Sequence, residues 1–343
     1  MLKLFQSIFG GNEARGRYPE SLIEMAIERV VDGTYPRLRA QSGYSKRLRQ
    51  PVIHAIDHVI SLIDNLSAPL PAVNATYSSD PRLPALFVSA EHMREVFGKD
   101  NALGEFREGH PEIGEGVTAL LLAERKEKNT LGVALEGDML RRDVAQVSVS
   151  FGNHRLLDPS NNEEEARRLL KRRAFDHLIS LALWRISEAK SERAELNHQH
   201  ELMKGKLGLL RRGGWGFEGK EGKSIDPVAL QCELDAIEAQ LAAITIDDRT
   251  LSGQLDIVTD LLADAENQIW AEPVDLHLDR MNIKRPAENP DARQISFQEL
   301  HNTRGQSLVM LFVSLNPAEL PQRQKFSASS GQILAELGSP FGR

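Results

Sequence analysis

Two stretches with apolar residues at alternating steps of three and four, Phe175 to Leu210 and Leu230 to Ile269, limit what this chain can fold into. On the first stretch the stripe runs Phe175, Ile179, Ala182, Ile186, Ala189, Arg193, Leu196, His200, Met203, Leu207, Leu210. On the second it runs Leu230, Leu234, Ile237, Leu241, Ile244, Asp248, Leu251, Leu255, Val258, Leu262, Ala265, Ile269. That alternation is the seam of a left-handed coiled coil, sustained for about five heptads per arm. Arms of this size reach roughly 60–75 Å at 1.5 Å per residue.

The charges are split between the arms. From Arg167 to Arg212 basic residues outnumber acidic ones 12 to 5, and from Val228 to Glu272 acidic residues outnumber basic ones 10 to 1. A basic arm beside an acidic arm favours pairing with each other over self-pairing. Folding the chain about the glycine-rich segment between them makes the pair antiparallel, with positions whose numbers sum to about 440 sharing a layer. Arg193 and Asp248 fall in one such layer and are expected to form a seam ion pair that sets register. His200 shares its layer with Leu241 and is expected at the solvent edge of the seam.

The tip, residues 211–226, carries five glycines with Trp215 and Phe217 between them, and the cations Arg211, Arg212, Lys220 and Lys223. Asp226-Pro227 restarts the helix as cap and first-turn proline. Gly222-Lys223-Ser224 matches the end of a phosphate-binding loop. Position 217 is Phe where that motif needs its first glycine, and a helix precedes it where a strand is required. Aromatics on a small-residue loop are contact anchors, so the tip is expected either to dock a protein partner or a membrane surface, or to fold back with Trp215 and Phe217 capping the end of the coiled coil.

Strand patterns flank the hairpin. Val117–Ala123 is an apolar run, Lys126–Asn129 is expected to turn, and Leu131–Leu135 to return. Val147, Val149 and Phe151 alternate with polar residues. After the hairpin, Val274, Leu276 and Leu278 alternate, then Ile295 and Phe297, and Leu308–Leu315 is strongly apolar. A three-stranded sheet alone is a weak unit, so three strands before and three after are expected to join in one small antiparallel sheet or barrel.

Before the strands the chain reads as helical. Pro19-Glu20 starts a helix that Asp32-Gly33 ends through a left-handed cap. A second helix covers Ser45 to Leu66, with Pro51 in its first two turns. A third covers Ala90 to Phe97, capped by Ser89. Residues 104–116 read as a loop, and the chain from Asn316 as a loosely held tail.

The fold class is therefore α+β. Its parts are a short amphipathic segment at 1–16, a helical region at 17–110, the first half of a β domain at 111–160, and a coiled-coil hairpin at 161–272. The second half of the β domain at 273–316 and a flexible tail at 317–343 follow.

Chemistry-bearing patterns are sparse. Arg37, Arg39, Lys46, Arg47 and Arg49, interleaved with Tyr35 and Tyr44, form a basic cluster of a kind that grips nucleic acid. A net charge of −7 gives that reading no global support. His54 and His58 share a helix face at metal-ligand spacing, without the glutamate of a zinc-protease motif and without an identifiable third ligand. The single cysteine, Cys232, lies off the seam and excludes an intrachain disulfide or thiolate cluster. Asp143, His154 and Asp158 are the candidates for an enzyme site in the β domain, and their spacing fits no motif.

No catalytic residue, metal or cofactor is assigned. No run is long and apolar enough to span a membrane. The N-terminus is too short and polar for a signal peptide, which points to the cytoplasm. Residues 1–11 carry a small apolar face of Leu2, Leu4, Phe5, Ile8 and Phe9 that offers a peripheral membrane contact. The leading expectation is a non-enzymatic scaffold or adaptor docking a protein through the hairpin tip. A nucleic-acid-associated protein, an enzyme and a homodimer are the alternatives.

Overall fold

The computed structural model describes residues 18–110, 116–136, 139–211, 227–243 and 251–321. The chain divides into two compact units that do not follow chain order. A helical unit takes the chain up to Leu66, Arg167–Ala271 and Leu300–Gln306, and a sheet unit takes Ser67–Ala166, Glu272–Glu299 and the chain from Ser307. The expected helical region 17–110 is thus shared between two cores.

In the helical unit, α1 (Glu20–Gly33) buries Leu22, Ile23, Ala26, Ile27, Val30 and Val31. Gly33 stands in a helical conformation, and the C-cap is Thr34, whose Oγ1 donates to the Val30 carbonyl at 2.7 Å. The left-handed cap expected at Gly33 is therefore absent. What Gly33 supplies is room: a Cβ there would lie 2.5 Å from Cγ2 of Ile179.

A short 3₁₀ turn (Pro36–Ala40) leads to α2 (Tyr44–Asp64), which buries Leu48, Val52, Ala55, Ile56, Val59 and Ile63. The longest helix, α6 (Glu163–Arg211), has 49 residues and is bent over 163–205. Its Phe175, Leu178, Ile179, Ala182 and Ile186 share one core with α1, α2 and the Leu255, Val258, Leu261 and Leu262 face of α8 (Leu251–Ala263). The two-helix seam expected at Phe175–Ile186 and Leu255–Leu262 is thus one contact within a four-helix core. Arg167 donates to the carbonyls of Ile63 and Leu66 at 2.7 and 3.0 Å, satisfying acceptors that the end of α2 leaves free. A 17-residue helix, α7 (Pro227–Ala243), precedes α8, and a single turn, α9 (Ala265–Gln268), follows it.

The sheet unit begins at β1 (Leu70–Pro71) and the helices α3 (Arg82–Leu86), α4 (Ala90–Lys99) and α5 (Asn101–Gly109). Ser89 caps α4 as expected, accepting from the His92 amide. Of the loop expected at 104–116, residues 104–109 belong to helix α5, and 111–115 lie outside the described residues. The reason for the helix is Asp100, which caps α5 by accepting from the Leu103 amide at 2.9 Å and holds β3 by accepting from the Leu156 amide at 2.9 Å.

Two long strands follow, β2 (Val117–Glu136) and β3 (Met139–Ser160). β2 runs unbroken through Lys126–Asn129, so the expected turn there is not formed. Later come β4 (Ile269–Leu278), β5 (Arg293–Asn302) and β6 (Ser307–Leu315), giving the order β3-β2-β6-β5-β4 with β1 added in parallel on β6. The segments before and after the hairpin do join in one antiparallel sheet: Val117–Ala123 of β2 pairs with Leu315–Val309 of β6. The turn after β4 doubles back, Lys284 N donating to the Val147 carbonyl and Val149 N donating to the Asn282 carbonyl, while Leu278 bridges Lys284. Backbone hydrogen bonding thus continues from β4 round to β3.

β3 carries three register shifts, each with one extra residue on β3 and each at a left-handed residue: Asp143 (φ 59°), Asn153 (φ 51°) and Asp158 (φ 49°). Short polar side chains tolerate that conformation best after glycine, and bulges bend and twist a strand. The inner face packs Leu121, Val149, Leu156, Leu276, Ile295, Phe297 and Leu311 against Leu83, Phe87, Met93, Phe97 and Leu103 of the short helices. Leu320, beyond a final 3₁₀ turn (Pro317–Glu319), is 7 % exposed in that core. The first residues after Asn316 are therefore packed, contrary to the loose tail expected there.

Candidate functional site

The basic cluster is the first pattern the structure can place. Arg39 pairs with Glu28 at 2.7 Å and Asp32 at 2.6 Å, Arg49 pairs with Glu20, and Arg47 pairs with Asp256. These hydrogen bonds raise the Arg39 guanidinium and hold Glu20 below the usual carboxylate range. Tyr44 donates to Glu28 at 2.7 Å, and Lys190 of α6 lies 4.8 Å over the Tyr35 ring. Three of the five cations and both aromatics thus tie the helices to one another. Arg37 and Lys46 are exposed.

His54 Nε2 meets Glu266 Oε2 at 2.6 Å, and His58 Nε2 meets the Ile269 carbonyl at 2.8 Å. Both imidazoles fasten α2 to the α9–β4 junction. Among the described residues no group of three or more His, Cys, Asp or Glu is arranged to hold a metal ion.

The three enzyme candidates are not brought together. Asp143 and Asp158 are the left-handed residues of two separate bulges, so the backbone accounts for their residue type. His154 stacks on Phe87 with ring centroids 4.7 Å apart, and its Nε2 is buried without a partner. Burial lowers its pKa against a bond to the Leu86 backbone that raises it, with nearby His92 lowering it further. That environment favours the neutral ring.

Sequence reading missed two polar networks. Glu299 on β5, with its side chain 3 % exposed, receives Arg125 of β2 at 2.9 and 3.4 Å. Arg125 also meets Glu127, which Lys284 reaches at 2.6 Å, giving a chain of alternating charge. The available signal was phase: Glu299 continues Ile295 and Phe297, and Arg125 continues Leu121 and Ala123, so both stand where a core residue belongs. The second network joins Asn302 to His177 at 3.2 Å and to Gln306 at 2.9 Å. Nothing in the local sequence signals it, because His177 and Asn302 lie 125 residues apart.

On α6, no described side chain between Ser187 and Gly205 is buried. Burial resumes at Leu207, which clusters with Leu230 and Leu234, with Met203 packed against them. His200 Nε2 meets Glu238 Oε1 at 2.9 Å and is 15 % exposed, so its expected solvent-edge placement without an acidic partner is not observed. Cys232 is exposed. Asp248, the tip residues Arg212, Trp215, Phe217, Lys220 and Lys223, and the N-terminal segment lie outside the described residues, as do the side chains of Arg193 and Arg211.

No helix among the described residues is long and apolar enough to cross a membrane. No protein-family model, curated protein or solved structure matches the chain.

Proposed function

We propose that the protein is a non-enzymatic scaffold or adaptor, that α6 with α7 and α8 forms an antiparallel coiled-coil hairpin, and that this hairpin docks a protein partner through its tip. One observation carries the reading: α6 continues about 25 residues past Ile186, the last buried residue before Leu207 among the described side chains, for roughly 37 Å at the helical rise. A helix of that length contributes little to its own core and is suited to reach. The Met203, Leu207, Leu230 and Leu234 cluster supports antiparallel pairing, since these residues obey the register rule drawn from the heptads. The His200–Glu238 contact agrees with it.

The test uses the full chain. A photo-crosslinking residue at Leu202 or Val228, which are 50 % and 70 % exposed, should capture one discrete partner in source cells. The same residue at Glu91, on the sheet unit, should not. Deleting Arg212–Ser224 should abolish capture and leave thermal unfolding nearly unchanged. Equal capture from Glu91, or capture that survives the deletion, refutes docking at the tip. A crosslink to a second copy of the chain alone shows a homodimer instead.

A further inference from the structure

We infer that the turn between β5 and β6 is a proton-operated latch, held on α6 through neutral His177 and released when that imidazole takes up a proton. The deduction starts from the Asn302 side chain, in a residue only 8 % exposed. Its Oδ1 accepts the backbone amides of Arg304 at 3.1 Å and Gln306 at 3.2 Å. Backbone amides only donate, so the side-chain amide cannot be turned round without losing both bonds. Its Nδ2 therefore faces outward, donating to Gln306 Oε1 at 2.9 Å and to His177 Nε2 at 3.2 Å. Nε2 must then be an acceptor, which requires a neutral ring carrying its proton on Nδ1.

Protonation sets two donors against each other in a half-buried contact. Rotating Asn302 to relieve this strips the turn of two of its own hydrogen bonds. The surroundings offer the imidazolium no help. Arg304 on the turn is a second cation, stacked 5.1 Å over Trp184 of α6. Asp176, beside His177 on α6, is held by Arg29 of α1, and Glu266 on α9 is held by His54. His301 lies against Trp270 at the start of β4, with ring centroids 5.5 Å apart. Burial first, then the Arg304 charge, lower the pKa of His177.

The sign follows. The open turn binds the proton more tightly than the closed one, so the latch holds above the ordinary histidine value of about 6.5 and yields as pH falls through the lower closed-state value. Beside the Arg304–Trp184 and His301–Trp270 contacts, the turn is held by Thr303 N donating to the Gln268 carbonyl at 3.1 Å and Thr303 Oγ1 donating to Gln268 Oε1 at 3.3 Å.

The experiment is hydrogen exchange of the full chain, corrected for intrinsic rates, from about pH 7.5 to about pH 5.5. In the wild type, protection over residues 302–306 should fall by up to about tenfold per pH unit as pH drops below the open-state value of about 6.5, levelling off once the closed-state value is passed, while α1 holds. His177→Gln keeps an acceptor for Asn302 without a titratable ring, and should remove that pH dependence. A flat wild-type profile, or a variant that tracks the wild type, overturns the latch. A separate readout serves if the variant does not fold: nitrogen chemical shifts of His177 should show the Nδ1–H tautomer at neutral pH, and an Nε2–H tautomer overturns the inference.

Discussion

Removing Arg125 tests whether the Arg125–Glu299 pair is a packed-in necessity or a surface ornament. Surface ion pairs are worth about 0–1 kcal/mol, because water and salt screen them and two long side chains lose freedom. Glu299 is different: its side chain is 3 % exposed and Arg125 reaches it with two nitrogens. Arg125→Leu leaves a buried carboxylate without its cation, a change that costs about 3–5 kcal/mol. Glu299→Leu leaves a cation that is 22 % exposed and still touches Glu127, so it should cost only about 1–2 kcal/mol. Replacing both residues by Leu removes the desolvation problem and should land within about 2 kcal/mol of the wild type, giving a coupling above about 2 kcal/mol. A chain of two units has no single unfolding midpoint, so the assay is native-state exchange of the β6 amides Val309 to Val313. A cost below about 1 kcal/mol for Arg125→Leu, or strict additivity in the double variant, would refute the reasoning.

Gly33→Ala should destabilise the helical unit by about 1–3 kcal/mol, read from exchange of α1 amides, because the new methyl overlaps the buried Ile179 side chain. At the exposed left-handed Asp143, Gly should be within about 0.5 kcal/mol of the wild type and Val should cost about 1–2 kcal/mol, measured by exchange of the paired β2 amides. His154→Phe keeps the ring stack on Phe87 and removes the unpaired Nε2. Since burial lowers the His154 pKa, the wild-type sheet unit loses stability as pH falls below about 6.5, and the variant should lose less; equal losses on β3 exchange would discount His154.

The helix phases were legible because a buried stripe repeats every three to four residues whatever covers it. Phe175, Ile179, Ala182 and Ile186 were read correctly as a stripe, and so were Leu255, Val258 and Leu262. What covers them was not legible. Periodicity reports that a face is buried and is silent on how many neighbours bury it, so a four-helix core at the base was read as a two-helix seam. The polar layers behaved the same way. Arg47 reads from its sequence neighbours as part of a basic cluster and His54 as half of a metal pair, yet their partners are Asp256 and Glu266, brought in by chain return.

The strands show a more instructive failure. Lys126–Asn129 looked like a turn because four polar residues interrupt an apolar run. In a strand, however, the test is phase, since alternate residues face opposite sides. Arg125 and Glu127 continue the inward phase of Leu121 and Ala123, and each finds an opposite charge there, Glu299 and Lys284. The same charges that argue for a turn when read as composition argue for a continuing strand with a paired inner face when read as phase. Asp143, Asn153 and Asp158 complete the point. As acidic residues Asp143 and Asp158 invite a catalytic reading, but each, like Asn153, falls at a bulge of β3 and on a left-handed backbone. Glycine would satisfy that conformation at greater entropic cost in the unfolded chain, so a short polar residue is what β3 needs at each of these three points to bend around the sheet.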